Sequence, residues 1–142
     1  MISFFVPGLP RPGGSKKAFR HAKTGKIMVV DACARNKEWR AVVALAARQA
    51  YNDEPLTGSL VLSINFYLPR PKGHYGSGKN SEVLKPSAPV YPIVPPDLTK
   101  LIRSTEDALT GILWADDAQV VIQYAKKYYG ARIGAEIEVQ KV

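Results

Sequence analysis

The sequence is poor in cysteine and histidine, and it has no long apolar segment. Cys33 is the single cysteine, which excludes an internal disulfide framework and any metal site built from several cysteines. The two histidines, His21 and His74, lack the closely spaced partners that a zinc site needs. The most apolar run, from Ala41 to Ala47, is far shorter than the ~20 residues that span a bilayer, and the first residues do not follow the order of a signal peptide. We therefore expect a protein of the reducing cytoplasm.

The length and the bulk composition predict one folded domain. A chain of 142 residues has room for a single core, and 46% hydrophobic with 23% charged residues is an ordinary globular composition. These figures argue against a disordered tail, a collagen-like repeat or a coiled coil. We expect residues 1–142 to form one domain.

The charge distribution is the most informative bulk property. The sequence has 20 Lys and Arg against 12 Asp and Glu, a net charge of +8, and nine of the basic residues lie in the first 40 positions. Such a balance favours a polyanionic partner. Four aspartates are instead concentrated between positions 97 and 117, namely Asp97, Asp107, Asp116 and Asp117. A basic surface with concentrated carboxylates is typical of a metal-dependent nuclease, although solvated basic loops and helix-capping aspartates would give the same composition.

Two basic segments rich in proline and glycine are candidates for binding a phosphate backbone. The first is an extended loop over residues 8–26, and the second is a long loop over residues 69–96. The candidate contact residues are Arg11, Lys16, Lys17, Arg20, Lys23, Lys26, Lys72 and Lys79. Gly73 to Lys79 also matches the start of a nucleotide-binding P-loop. We reject that interpretation because Asn80 replaces the required Ser or Thr and the prolines that follow prevent a helix.

The periodicity of apolar residues predicts an α+β domain with four or five strands in a mixed sheet and two main helices. The last two strands are expected to form a hairpin. The predicted strands cover Ile2–Val6, Ile27–Val30, Ser59–Leu68, Val120–Tyr124 and Arg132–Val139, and the predicted helices run from an N-cap at Asp31 to about Tyr51 and from Leu98 to Leu109.

The acidic residues lie where phosphodiester hydrolysis could use them. Hydrolysis requires neutralised phosphate oxygens and an activated water, and Mg²⁺ held by two or three carboxylates supplies both. Asp97 precedes a predicted helix, and Asp116 with Asp117 precedes a predicted strand. These groups could share a cation if both elements begin at the same edge of the sheet, although acidic residues are common before helices and in turns.

The stretch from Pro96 to Val120 reads PDLTKLIRSTEDALTGILWADDAQV, and it resembles the RusA family of Holliday junction resolvases. The family pattern is approximately D-x-D-N-x-x-K, then D-A-L, then W-x-D-D-x-Q-V. The specific match covers about 25 residues, and D-A-L-T and W-x-D-D-A-Q-V are its most specific parts. The remaining chain is compatible with the family through its first strand, its basic N-terminal loop and its first helix.

The resemblance implies metal-binding side chains at Asp97, Thr99 and Asp117 and a catalytic cation at Arg103. Thr99 stands where the family has an aspartate, so the site has less negative charge unless Asp107 or Asp116 contributes a carboxylate. Arg103 replaces a lysine, and it keeps a positive charge for the phosphate but cannot exchange a proton near neutral pH. Lys100, where the family usually has asparagine, is the remaining candidate for that exchange. The structural alternatives are a solvated Lys100 and an Asp107 that pairs with Arg103 one turn away.

The resemblance further implies a homodimer that cuts branched DNA, because a four-way junction has two-fold symmetry and two strands to nick. It implies Mg²⁺ as the cofactor, with Mn²⁺ as a substitute, and action in a bacterial or phage-infected cell. Two alternatives remain open. The changes at Thr99 and Arg103 could leave a junction-binding protein with weakened catalysis, or the same site could act on RNA or flap substrates.

Overall fold

The chain forms a mixed four-stranded sheet whose one face is covered by two α-helices. A computed structural model describes residues 1–13, 16–31 and 35–142, and the side chains of residues 16–19 and 28–31 lie outside the described part. The strands are β1 (Ile2–Pro7), β2 (Lys16–Arg20), β3 (Ile27–Asp31), β4 (Leu60–Leu68), β5 (Val120–Tyr129) and β6 (Gly134–Lys141), and the helices are α1 (Asn36–Ala50) and α2 (Leu98–Leu109).

The main sheet has the strand order β1-β6-β4-β5, and β2 pairs with β3 in a separate antiparallel hairpin. β4 is parallel to β5 and antiparallel to β6, so the sheet is mixed. β5 lies at one edge of this sheet. The predicted α+β domain with a mixed sheet and two helices is confirmed.

β4 is an inner strand that lies between β6 and β5, and alternate side chains are buried along its entire length. Leu62, Ile64 and Phe66 point towards the helices and are at most 1% exposed, whereas Ser63 and Asn65 lie on the opposite face. Burying an aliphatic or aromatic side chain of this size contributes about 1.5–3 kcal/mol. The period of two that predicted this strand is therefore also what fixes its register.

The two helices pack against each other through a buried polar contact as well as apolar surface. Trp39 of α1 is 2% exposed, and its indole Nε1 donates to Thr105 Oγ1 on α2 at 3.1 Å. The same hydroxyl donates to the carbonyl of Leu101 at 2.8 Å. Because the indole donor and the hydroxyl are both satisfied, this contact fixes the position of α2 on the sheet without leaving a buried polar group unpaired.

The N-terminal loop is held directly on α2. Gly13 N–H donates to the carbonyl of Lys100 at 2.9 Å, and Asn36 Nδ2 donates to the carbonyl of Pro12 at 2.9 Å. The Ser104 hydroxyl donates to the carbonyl of Arg11. A Cβ on Gly13 would lie 2.9 Å from Ser104 Cβ, so a larger residue could not approach this closely. The basic N-terminal segment therefore starts from a fixed point beside α2.

Three sequence predictions are wrong in detail. Asp31 does not cap the first helix, since it ends β3 and the helix begins at Asn36 after Arg35. Residues 8–26 are not loop throughout, because they contain β2. Finally, β5 runs to Tyr129 and does not form a hairpin with β6.

The hairpin prediction fails because the connection between β5 and β6 crosses the end of β4. Gly130 N–H donates to the carbonyl of Leu68 at 3.1 Å. A Cβ on Gly130 would lie 2.9 Å from Tyr67 Cδ1. Glycine here permits a close crossing over a neighbouring strand, whereas in the sequence it reads as a tight turn.

The segment between β4 and α2 has no strand or α-helix and contains two short 3-10 turns, Lys72–His74 and Gly78–Asn80. No helix follows Lys79 before α2, which agrees with the rejection of a P-loop. Arg70 holds this loop in place, since its Nη1 donates to the carbonyl of Pro89 at 2.6 Å and its guanidinium lies 4.3 Å from the centre of the Tyr129 ring. Within the described ranges, neither helix has the length and apolarity needed to cross a membrane.

Candidate active site

α2 lies along β5 in the opposite direction, and this arrangement separates two groups of charged residues. At the N-terminal end of α2, Lys127 Nζ donates to the carbonyls of Val94 and Pro96, each at 3.0 Å. At the C-terminal end, Gln123 Nε2 donates to Glu106 Oε1. The start of β5 therefore lies beside the end of α2, and the end of β5 lies beside its start.

The N-terminal end of α2 presents a carboxylate beside a cation. Asp97 occupies the N-cap position, but its side chain does not cap the first turn. Asp97 Oδ2 instead lies 3.4 Å from Lys100 Nζ, and the two side chains are 59% and 43% exposed. Thr99, in the first turn, is exposed as well. Because the Asp97 carboxylate is solvent-accessible and is not used as a cap, it is available to a ligand.

Lys100, Arg103 and Asp107 lie on one face of α2, as their helical spacing requires. Arg103 and Asp107 are exposed, and Lys100 is half-buried. Within the described residues, the ion pair on this face joins Lys100 to Asp97, not Arg103 to Asp107. Arg103 lies six residues after Asp97, nearly two turns further along α2.

The C-terminal end of α2 is acidic. Glu106 is half-buried, and its pKa is raised, chiefly by burial, then by the negative charge of Asp117, and to a smaller extent by that of Asp107. The hydrogen bond from Gln123 acts in the opposite direction. Burial and negative neighbours both disfavour the ionised carboxylate, so a cation at this position would stabilise it.

Sequence reasoning missed Glu106. It stands beside Asp107 in the sequence, but adjacent helical residues point in different directions, so the local pattern does not reveal a common site. What links Glu106 to Asp117 is the packing of α2 against β5. The sequence carries no signal for this link, because it does not show which strand lies beside the helix.

Asp116 and Gln119 have a clear structural role. Asp116 Oδ1 accepts a hydrogen bond from Ala118 N–H at 2.9 Å, and Gln119 Oε1 accepts one from Asp116 N–H at 3.1 Å. The amide of Gln119 then donates to the carbonyls of Leu56 and Gly58. This capping box fixes the turn that carries Asp117, whose side chain is exposed and does not take part in the cap.

Within one chain, Asp97 and Asp117 lie near opposite ends of α2. Glu106 follows Asp97 by nine positions, a rise of about 14 Å at 1.5 Å per residue. The negative charge of Asp117 acts at the far end of that span, where it raises the pKa of Glu106. Within the described parts of the chain, no three His, Cys, Asp or Glu side chains are grouped closely enough to hold a metal ion. The structure therefore places Lys100 beside Asp97 at one end of α2, whereas the charge of Asp117 acts at the other end.

The basic candidates are spread over the N-terminal hairpin and the long loop. Arg20, Lys23 and Lys26 are exposed around the connection between β2 and β3. His21 organises this connection, since its Nδ1 accepts from Lys23 N–H at 3.2 Å. The other predicted contact residues are a half-buried Arg11, the exposed Lys72 and Lys79, and Lys16 and Lys17, whose side chains lie outside the described part of the structure, as does Cys33 entirely.

The edge strand β5 is unusually apolar for a strand with one open side. Val121 is 59% exposed, Ile122 39% and Tyr124 61%. These side chains project from both faces of the strand, and its outer edge has no neighbour within this sheet. An exposed apolar edge strand is a template for pairing with another strand.

The chain is similar to known proteins over nearly its whole length. The family model described as endodeoxyribonuclease RusA matches residues 7–140. A protein of Bacillus subtilis (strain 168), described as uncharacterized protein YqaN, is 30% identical over 145 residues, which cover 99% of this chain and 96% of that protein. Both matches include α2, β5 and the segment that carries Asp116 and Asp117.

Proposed function

Since the chain belongs to the RusA family of endodeoxyribonucleases, we propose that it is a Mg²⁺-dependent nuclease that resolves four-way junctions and related branched DNA. Each of two sites would hydrolyse one phosphodiester bond, so that paired nicks separate the junction. The observation that carries this proposal is the pair of exposed carboxylates, Asp97 and Asp117, at opposite ends of α2 beside groups suited to phosphate and metal chemistry.

The donor set fits Mg²⁺. The cation prefers oxygen ligands and keeps several waters, so two carboxylates suffice to hold it. Asp97 and Asp117 would be the ligands, and Glu106 would add negative charge in a half-buried position where an unpaired acid is unfavourable. When bound, Mg²⁺ would supply charge neutralisation and an activated water.

A homodimer formed through β5 would unite the two ends of α2. If the open edge of β5 pairs antiparallel with β5 of a second copy, the start of each strand lies beside the end of the other. Because α2 follows β5 in the opposite direction, Asp97 of the partner subunit then approaches Asp117 of the first. Two equivalent sites would result, as a two-fold symmetric dimer requires.

The cations on α2 would act on the phosphate. Arg103 carries a permanent charge and a planar set of donors that matches two phosphate oxygens. Lys100, 3.4 Å from Asp97, is placed to position that carboxylate and is the candidate for proton exchange. Asp107 and Thr99 are accessory oxygen donors, and the capping role of Asp116 leaves Asp117 as the stronger ligand candidate.

The basic hairpin and loops would bind the arms of the junction. Exposed Arg20, Lys23 and Lys26 form one cluster, and Lys72 and Lys79 lie in the second basic segment. Contacts of this kind neutralise phosphates and make affinity strongly dependent on salt. The proposed place of action is the cytoplasm of a bacterial or phage-infected cell.

One specific observation favours a second candidate function. Thr99 and Arg103 replace the family's aspartate and lysine, and both changes weaken metal binding or proton transfer. A protein with these changes could bind junctions without cutting them. Tight, salt-sensitive binding with no product in Mg²⁺ or Mn²⁺ would support this alternative.

The test is nicking of a synthetic four-way junction in Mg²⁺ by the wild type, Asp97→Asn and Asp117→Asn. Each variant should nick about 1000-fold more slowly, because loss of a metal ligand removes several kcal/mol of transition-state stabilisation. Glu82→Gln, which neutralises an exposed acid of the long loop, should behave as the wild type. If both aspartate variants nick as fast as the wild type, the assigned site is wrong. Faster cutting of RNA or flap substrates would instead change the substrate class.

A further inference from the structure

An apolar cavity of about 440 Å³ lies beside the N-terminal end of α2. Its walls come from residues 9–12, from the end of β4 with the residues that follow it, from Pro92 and residues 94–96, and from Tyr129. Seven lining residues are prolines, and Arg11 is the charged residue among the described lining. A cavity of this volume lies in the range of small-ligand sites.

The walls of this Pro-rich cavity are fixed in place. Lys127 holds the carbonyls of Val94 and Pro96 at 3.0 Å. Arg70 lies over the ring of Tyr129, and His74 packs edge-on against the same ring at 5.4 Å. Proline also has a fixed φ angle, which limits rearrangement of the backbone. The cavity is therefore preformed, and a ligand would not have to order its walls.

The surroundings of the cavity combine apolar walls with cations. Arg11 lines it, Lys127 binds the backbone of its wall, and Arg70 packs on its aromatic residue. Pro96 is part of the lining, and Asp97 follows directly in the chain. A ligand that matches this environment carries a negative charge and a flat apolar ring, and a DNA strand with one unstacked base has both.

We infer that the Pro-rich cavity receives one unstacked nucleobase of the DNA strand whose phosphate lies at Asp97. The inference rests on the proposed function for this placement beside the scissile phosphate. Removing a base from a duplex costs a few kcal/mol, and the cost is lowest where the base is already unpaired. A base pocket next to the site would thus favour cutting at branch points over intact duplex.

The chemistry of the walls also predicts how the base is read. Proline has no N–H, so these walls supply few backbone donors for the edge of a base. Stacking and fit should therefore dominate over hydrogen-bond recognition. The cavity should distinguish bases mainly by ring size.

The test compares DNA with and without one base at a single position. The probes are a four-way junction with an abasic position at the branch point and a short single strand with a central abasic position, each paired with its intact counterpart. Binding is measured by fluorescence anisotropy in EDTA, so that hydrolysis does not interfere. Wild type should bind the base-containing probe about tenfold more tightly, the effect of one stacked base.

The matched variants are Val94→Trp and Val83→Trp. Both valines lie in the long loop and are similarly exposed, at 52% and 58%, but only Val94 is among the residues lining the cavity. Val94→Trp should fill the cavity and remove the difference between intact and abasic probes, while affinity for abasic DNA stays unchanged. Val83→Trp should keep the difference. If Val94→Trp fails to fold by circular dichroism, Leu9→Trp places the same ring at another lining position of the cavity.

The outcomes separate this inference from the proposed function. Equal affinity of the wild type for intact and abasic probes, or equal behaviour of the two tryptophan variants, overturns the base pocket. Nicking of the junction together with either result leaves the nuclease function standing. A base-dependent affinity in a protein that never nicks supports the pocket and overturns the nuclease function.

Discussion

The two ends of α2 differ in how their acids are compensated. At the N-terminal end, Asp97 is exposed and lies 3.4 Å from Lys100. At the C-terminal end, Glu106 is half-buried, and its pKa is raised by burial and by the charges of Asp117 and Asp107. The first end pairs its carboxylate with a cation, whereas at the second end the charges of Asp117 and Asp107 disfavour the ionised form of Glu106. The N-terminal end supplies a cation and the C-terminal end supplies additional negative charge. In one chain the two ends lie about 14 Å apart along the helix.

The largest expected effect is recovery of nicking when two inactive variants form mixed dimers. If each site combines Asp97 of one subunit with Asp117 of the other, a mixed dimer of Asp97→Asn and Asp117→Asn contains one intact site and one doubly defective site. An equimolar mixture should recover about a quarter of the wild-type nicking rate, since about half of the dimers are mixed.

The control is each variant assayed alone at the same total concentration, which should remain inactive. Native mass spectrometry shows whether mixed dimers form. Mixed dimers without recovered nicking would mean that each site uses residues of a single subunit.

The stability of the segment before α2 should depend on Lys127. Lys127→Ala removes two hydrogen bonds from an ammonium group to the carbonyls of Val94 and Pro96, and we expect a loss of about 2 kcal/mol in the free energy of unfolding. Urea denaturation measures this loss. Lys126→Ala, at the neighbouring exposed position, should change the same quantity by less than about 0.5 kcal/mol. Equal losses would show that Lys127 does not anchor the segment before α2.

An additional acid at the N-terminal end of α2 should strengthen Mg²⁺ binding. Thr99→Asp places a second carboxylate near Asp97, and it should lower the Mg²⁺ concentration for half-maximal nicking by about fivefold. Ser3→Asp adds the same charge at an exposed position of β1, at the opposite edge of the sheet from β5, and should have no such effect. An unchanged Mg²⁺ requirement in Thr99→Asp would mean that another carboxylate already fills this role.

The smallest expected effect is a pH-dependent change in stability that depends on Glu106. Its folded pKa is raised above the ordinary value of 4.5, so its contribution to stability is present below that value and is lost as pH rises through the folded pKa. The wild type should therefore lose stability relative to Glu106→Gln between pH 4 and pH 7, by less than about 1 kcal/mol because solvent screens a half-exposed group. Urea denaturation without divalent cations gives the comparison. A wild type that gains stability over this range would contradict the raised pKa.

Much of the fold follows from local patterns. The alternation in β4 predicted a half-buried strand within one residue of its observed start, and the apolar stripe of α2 predicted that helix from Leu98 to Leu109. These patterns depend on residues close in the chain, so the sequence displays them directly. The start of α1 was misplaced because Asp31 resembles an N-cap, whereas β3 extends through that residue.

The candidate site was predictable by residue type but not by arrangement. The motif containing Asp116 and Asp117 stood out, yet only the hydrogen bonds distinguish Asp116, which caps a turn, from the exposed Asp117. Glu106 was missed because the charge of Asp117 reaches it only through the packing of α2 beside β5. Metal binding and the roles of Asp97, Thr99 and Arg103 stay predictions.

The sequence by itself determined the basic character of the chain, its family motif and the segments with a buried face. The tertiary structure decided the strand order, the opposite directions of α2 and β5, and the separation of Asp97 from Asp117. The physical reason is that periodicity and charge are properties of neighbouring residues. Which acids share a site depends instead on parallel pairing and helix packing between segments far apart in the chain.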